Sequence, residues 1–355
     1  MSPPTAIVLP GSPAVLAVRG RLPAVRRYGW PIRPFNREHA IRGGFGDPRF
    51  GLRQRNFHFG IDIPAPGGTP VYAVAAGTAV LAPDRVAVLS PAVAKRATGF
   101  TYWHILPAVA EYHYVRKHAL IGWVSPTWGH LHFAELDKGA LVNPLRPGAL
   151  TPFRDTAIPR IDGISVLQDP PTPIPGDARP AQTVDVTVDA FLPPAVPPPP
   201  LWHGARLAPA LIRWRLLDGA TPESRWTTAV DFRRALPPNT TYRDVYAPGS
   251  RPNRPGRPGR YIFVLAHRWN VTGINLATDL VQVQVLGPRG ATAFATASLR
   301  FGVEAISSEL RRVQRSGAKR LSSGAATSAR LGSGGIVQVA HLRVEYPTGS
   351  SMNDD

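Results

Sequence analysis

Thr69-Pro70-Val71-Tyr72-Ala73-Val74-Ala75-Ala76-Gly77-Thr78-Ala79-Val80-Leu81 is a run of small and branched apolar residues divided by one Ala-Gly pair. It reads as a strand, a turn at Ala76-Gly77 and a second strand. Ala119-Leu120-Ile121-Gly122-Trp123-Val124 is a further buried-strand segment. Thr183-Val184-Asp185-Val186-Thr187-Val188-Asp189-Ala190-Phe191 alternates apolar and polar side chains, which on a strand point to opposite faces and leave one face solvated. Ile212–Leu216, Tyr261–Ala266, Leu280–Val285 and Ala297–Val303 continue in this style. With 40 prolines and 33 glycines in 355 residues, long helices are disfavoured, because each internal proline removes a hydrogen bond and clashes with the preceding turn. The predicted class is all-β.

Composition divides the chain. Residues 1–26 read as a loosely ordered arm, interrupted by Pro4, Pro10 and Pro13 and lacking the basic start of a secretory leader. Residues 27–153 are dense in short strand signals. A proline-rich linker is expected over 154–182. Residues 183–304, with short strands and tryptophans between turn signals, fit an immunoglobulin-like β-sandwich. Pro193–Pro200 suits polyproline II, and Ala247–Gly259 a long loop. Residues 305–355 form a basic Ser/Gly-rich tail with one late strand within Ile336–Tyr346.

The formal net charge is +18, carried almost wholly by arginine; lysine occurs only at Lys95, Lys117, Lys138 and Lys319. Such a balance favours polyanions, anionic cell-wall polymers among them. No nucleic-acid-binding motif accompanies it, so no specific nucleic-acid partner is expected. The absence of cysteine removes disulfides and thiol chemistry. No apolar stretch reaches the length of a membrane-spanning helix.

Chemistry concentrates in two short stretches, His58-Phe59-Gly60-Ile61-Asp62 and His130-Leu131-His132-Phe133. Even spacing on extended chain puts side chains on one face. Two adjacent strands could then converge two histidines and one aspartate, a donor set that leaves a fourth position open on a catalytic zinc ion.

The run from His58 to Gly77, which includes Asp62-Ile63-Pro64-Ala65-Pro66-Gly67-Gly68-Thr69-Pro70, together with His130-Leu131-His132-Phe133-Ala134-Glu135, closely resembles the lysostaphin-type (LytM-like) zinc metallopeptidases, which are peptidoglycan endopeptidases with a small antiparallel β fold. Gly43-Gly44-Phe45-Gly46-Asp47-Pro48-Arg49 resembles that family's lead-in to the metal strand. The resemblance covers about residues 28 to 150. It implies zinc as cofactor, His58, Asp62 and His132 as its ligands, and His130 as general base. His104, in Tyr102-Trp103-His104-Ile105, would be the second catalytic histidine, ranked ahead of His113 and His118. Zinc on two neutral imidazoles and one carboxylate would lower the pKa of a bound water, His130 would take its proton, and His104 would face the developing oxyanion. The implied substrate is a stem peptide or cross-bridge of bacterial peptidoglycan, and the implied location the cell envelope or exterior. A non-catalytic wall-binding or hydrolase-activating module on the same scaffold is the alternative.

Two departures from the family pattern stand out. The segment Trp123-Val124-Ser125-Pro126-Thr127-Trp128-Gly129 before the His-x-His is short, and Trp128-Gly129 stands where the family has Gly-Pro, so two tryptophans would reshape one wall of the groove. His39, His203, His267 and His341 are expected to be ordinary surface or packed residues, and Trp202, Trp214, Trp226 and Trp269 to be sandwich core.

Overall fold

The structure, a computed structural model, describes residues 27–50, 55–93, 96–154, 156–168, 183–271, 274, 279–298 and 343–345. It is all-β: the only α-helix among these residues is the single turn Tyr242–Val245. The 1–26 arm, most of the 305–355 tail and His341 lie outside the described residues.

The first half holds β1 (Pro48–Phe50), β2 (Arg55–Phe57), β3 (Ile61–Pro64), β4 (Pro70–Tyr72), β5 (Gly77–Ala82), β6 (Arg85–Val93), β7 (Arg96–Trp103), β8 (Ile105–Pro107), β9 (Tyr114–Val115), β10 (Leu120–Val124), β11 (His130–Asp137) and β12 (Ala140–Val142). The main sheet runs β12-β11-β7-β6-β5-β9, and β11 is its organising strand. One edge of β11 pairs with β7. The other is shared by β3, opposite His130–Phe133, and β12, opposite Glu135–Asp137. A second sheet, β4-β10-β8, completes this half. The Thr69–Leu81 stretch therefore feeds two sheets, with β4 in the smaller and β5 in the larger. Gly77 opens β5 rather than turning the chain. A Cβ there would meet the Leu89 carbonyl on β6, so its role is close strand approach.

The second half contains β13 (Arg160–Gln168), β14 (Thr183–Phe191), β15 (Leu211–Asp218), β16 (Thr221–Pro222), β17 (Thr227–Asp231), β18 (Ile262–Asn270), β19 (Asp279–Leu286), β20 (Thr292–Ser298) and β21 (Arg343–Glu345). Strand β13 corrects the linker reading of 154–182, since it pairs with β14 over eight residue pairs. Its sequence, Arg160-Ile161-Asp162-Gly163-Ile164-Ser165-Val166-Leu167-Gln168, buries Ile161 and, after a bulge that shifts the phase, Ile164 and Val166; the bulge and the prolines that follow hid it. Sheet β13-β14-β18 and sheet β16-β15-β19-β20-β21, with β17 also on β15, contribute to one buried cluster. Within that cluster Trp214 and Trp269 meet edge to face at 5.1 Å. Strand β21 supplies the expected late strand by pairing with β20. Of Ala297–Val303, residues 299–303 lie outside the described residues.

The cores of the two halves exchange residues. Phe45 and Phe57, from the first half, belong to the buried cluster of the second, and Leu192 and Leu207, from the second, belong to that of the first. Arg289 donates to the carbonyls of Leu150 and Phe153, and Asn143 Nδ2 donates to Phe232 O at 2.9 Å. At the start of the described chain, Tyr28 OH donates to Glu135 Oε2 at 2.6 Å, and Arg146 clasps the same carboxylate with both terminal nitrogens. Buried charge held this way is fully paired, as the low-dielectric interior demands.

Candidate metal centre

Register places the first two groups. In the antiparallel β3–β11 pair His132 lies opposite Asp62, so both side chains leave the same face. His130, two residues before His132, shares that face. His58 arrives differently. Strand β2 stops at Phe57 and β3 starts at Ile61, so the expected four-residue spacing along one strand gives way to a bend at Gly60. A Cβ at Gly60 would collide with the Phe133 carbonyl and approach the His132 ring to 2.9 Å. Only glycine lets the chain turn this close beneath the imidazole.

His58 is anchored instead to the Gly44–Asp47 turn. Its backbone N–H donates to Asp47 O and its carbonyl accepts from Gly46 N, both at 2.8 Å. Its ring Nδ1–H donates to Gly44 O at 2.7 Å, which leaves the Nε2 lone pair free. His130 is set in the same tautomer, with Nδ1–H donating to Trp128 O at 2.9 Å. Burial first, then Arg49, pushes the His58 pKa down to about 3, so its ring is neutral. Burial likewise lowers His130.

The lone pairs converge. His58 Nε2 lies 3.0 Å from Asp62 Oδ1 and 2.8 Å from His132 Nδ1, and the latter two atoms are 3.1 Å apart. Ligand atoms on a tetrahedral zinc with bonds of about 2.0–2.1 Å sit about 3.3 Å from one another. The triangle is therefore close to three corners of that tetrahedron. With all three lone pairs turned inward, a cation among them would balance their mutual repulsion. Asp62 is ionised: burial alone would raise its pKa, but His58 and Arg49 outweigh it and hold the carboxyl well below its usual range. All three residues are buried, and a donor set of two imidazoles and one carboxylate fits zinc.

His130 Nε2 stands 3.7 Å from Asp62 Oδ1, beside the triangle. His104 follows β7 directly and holds φ +66°, a left-handed conformation that costs a non-glycine residue about 1–3 kcal/mol. Its ring stacks on Trp128 at 4.1 Å and lies 4.7 Å from that of His130. Its Nδ1 is buried without a hydrogen-bond partner; Asp84, at 4.0 Å, is too far. Burial, then His130, lowers the His104 pKa to about 4. The structure thus gathers all five polar residues singled out in the sequence. His118 stacks on Phe35 instead, at 4.2 Å, and His113 is exposed.

Sequence reasoning missed the group that holds Asp62 from behind. Arg49 Nη2 donates to Asp62 Oδ2 at 2.8 Å, leaving Oδ1 for the triangle, and Arg42 Nη2 stands 3.7 Å from the same Oδ2. It also missed what holds the turn. Asp47, fully buried, accepts from Gly44 N at 2.8 Å and from Ala208 N at 2.7 Å. Tyr246 OH donates to Gly46 O at 2.8 Å. The second half therefore grips the turn that orients His58. Trp202, expected in the sandwich core, is only partly buried and lies under Arg42, 3.9 Å from its guanidinium carbon. Trp226 is also partly buried, against Arg213 and Arg215.

No protein-family model matches the chain, and none of the curated proteins is similar to it. Solved structures are. Peptidases are among them. A zinc-containing peptidase from Vibrio cholerae is 22% identical over 34% of this chain and 39% of its own, with a TM-score of 0.28. Csd3 from Helicobacter pylori is 22% identical over 34% of each chain, at 0.27. The catalytic domain of the antimicrobial peptidase lysostaphin from Staphylococcus simulans is 24% identical over 29% of this chain and 86% of its own, at 0.24. This chain thus spans 39% and 34% of the first two proteins' length. No helix among the described residues is long and apolar enough to cross a membrane.

Proposed function

We propose that the protein is a zinc-dependent endopeptidase that cuts peptide bonds in the stem peptides or cross-bridges of bacterial peptidoglycan. The observation that carries this reading is the buried triangle of His58 Nε2, Asp62 Oδ1 and His132 Nδ1, with two further neutral imidazoles beside it and no fourth protein ligand among the described residues. A purely structural zinc site would be closed by a fourth side chain.

In this reading zinc, when bound, supplies Lewis acidity to water and to the scissile carbonyl. His58, Asp62 and His132 hold it, and Arg49 keeps Asp62 turned toward it. His130 Nε2 accepts the proton as water attacks and returns it to the leaving amine; a ring that burial keeps neutral is in the state a base requires. His104, also neutral, donates a hydrogen bond to the developing oxyanion. The strained φ of His104 and its stacking on Trp128 fix that donor before substrate arrives. The second half is proposed as an immunoglobulin-like sandwich that completes the catalytic unit rather than hanging from it by a linker. The setting proposed is the cell envelope.

The test is mass spectrometry of fragments released from purified peptidoglycan by zinc-loaded protein, with His132→Ala as control. New peptide ends that appear only with the intact protein establish the reading and name the bond. Bound zinc with no fragments from any wall type overturns it in favour of a non-catalytic wall-binding or hydrolase-activating module.

A further inference from the structure

Among the described residues beside the metal triangle, Arg42 is a charged group with no close ion pair of its own. Its nearest anionic atom, Asp62 Oδ2, lies 3.7 Å away and already accepts from Arg49 at 2.8 Å. Its Nε is buried with no hydrogen-bond partner. Arg49 also has Asp47 Oδ2 at 3.7 Å, whereas Arg42 shares only Asp62, and a divalent ion on the triangle would add two more positive charges. A cation so placed calls for an anion.

The surroundings show a built site. Both ends of the Arg42 backbone are fixed: its N–H donates to Asp62 O at 2.9 Å, and its carbonyl accepts from Asn253 Nδ2 at 3.0 Å. The guanidinium lies on the face of Trp202, an arrangement that holds its plane and leaves the in-plane N–H groups to a ligand. Trp202 is pinned in turn. It closes the short 3₁₀ turn Pro200–Trp202, and the neighbouring Leu201 carbonyl accepts from Gly256 N at 2.8 Å. The side chain of Arg42 is 14% exposed, and because Nε is enclosed that exposure belongs to its other atoms. A planar, forked donor matches a carboxylate in shape and charge.

We propose that Arg42, laid on Trp202, receives a free carboxylate of the peptide substrate next to the scissile bond. The inference rests on the peptidase reading and deepens it, because it makes the protein selective for anionic peptides. It also assigns Trp202, from the second half, to the substrate site. The carboxylate is either the peptide's C-terminus, in which case the cut lies near the chain end, or a side chain, in which case it lies internally.

Three acetylated D-alanyl peptides separate these cases: one with a free C-terminal carboxylate, its C-terminal carboxamide, and the carboxamide carrying a glutamate side chain. Calorimetric binding to metal-free protein and kcat/KM of the zinc-loaded protein are both measured, for wild type, Arg42→Gln, Arg42→Lys and Trp202→Leu. Wild type is expected to prefer one of the two carboxylate peptides over the neutral one by tenfold or more in both measurements. Arg42→Gln should bring the ratio within twofold while still cutting the neutral peptide, and Arg42→Lys and Trp202→Leu should fall between. Cleavage with equal rates on all three peptides in wild type and Arg42→Gln overturns the Arg42 assignment and leaves the peptidase reading standing. Arg42-dependent carboxylate binding without any zinc-dependent cleavage overturns the peptidase reading instead. Trp202→Leu and Arg42→Lys keep the test decisive if Arg42→Gln does not fold.

Discussion

Asp47 offers a measurable handle on the turn that orients His58. Its carboxyl is fully buried, and burial pushes its pKa up from 3.8 to about 6 even though Arg49 and the N–H groups of Ala208 and Gly44 oppose the rise. A carboxyl that keeps its proton to higher pH folded than unfolded stabilises the fold below about pH 4 and loses that contribution as pH rises through about 6. Some two pKa units at about 1.4 kcal/mol each give about 3 kcal/mol lost by pH 7, of which about 2 kcal/mol falls between pH 4.5 and 7.5. Asp47→Asn cannot ionise. It also keeps only one acceptor oxygen, which costs about 1–2 kcal/mol at every pH. The informative quantity is therefore a double difference, the pH dependence of wild type minus that of Asp47→Asn, from which the constant loss cancels. Urea unfolding of chelator-stripped protein at pH 4.5 and 7.5 should show wild type losing about 2 kcal/mol more than the variant on going to the higher pH. A double difference below about 0.5 kcal/mol would refute the placement of a buried, charge-strained Asp47 under the metal site.

Other outcomes follow from the same contacts. His132→Ala should abolish zinc retention, read by elemental analysis after dialysis, because it removes one corner of the ligand triangle. His104→Ala and His130→Ala should keep most of the zinc while losing cleavage by at least about a hundredfold; loss of metal in either would contradict their assigned places. Gly46→Ala should destabilise the protein by about 2–4 kcal/mol in denaturant melts and loosen zinc. Gly46 has φ +91°, and a Cβ there would strike the Phe232 ring, so strain and overpacking add. Trp214→Ala, in the second half's core, should cost about 3–5 kcal/mol by the same melts.

Much of this site is legible in the amino-acid order. Strand periodicity marks β10, β14, β15, β18 and β19, because a half-buried or buried strand must repeat its apolar residues at short range. His130 and His132 share a face by that same two-residue period, and Asp62 joins them once β3 pairs with β11 in register. The ligand types and their spacing are local, and local pattern is what a sequence displays. The union of the two halves is not local. Ala208 and Tyr246 close on the Gly44–Asp47 turn from far along the chain, and Trp202 comes under Arg42 across a comparable separation. Neither pairing leaves any periodicity to read. Strand β13 was concealed for a related reason: prolines after Gln168 dominate the composition of its neighbourhood, whereas pairing with β14 is what makes it a strand. The order of residues sets the metal chemistry, since donor identity and spacing lie within two short stretches of sequence. How rigidly that chemistry is held, and what charge surrounds it, comes from long-range packing that brings a second β unit against the first.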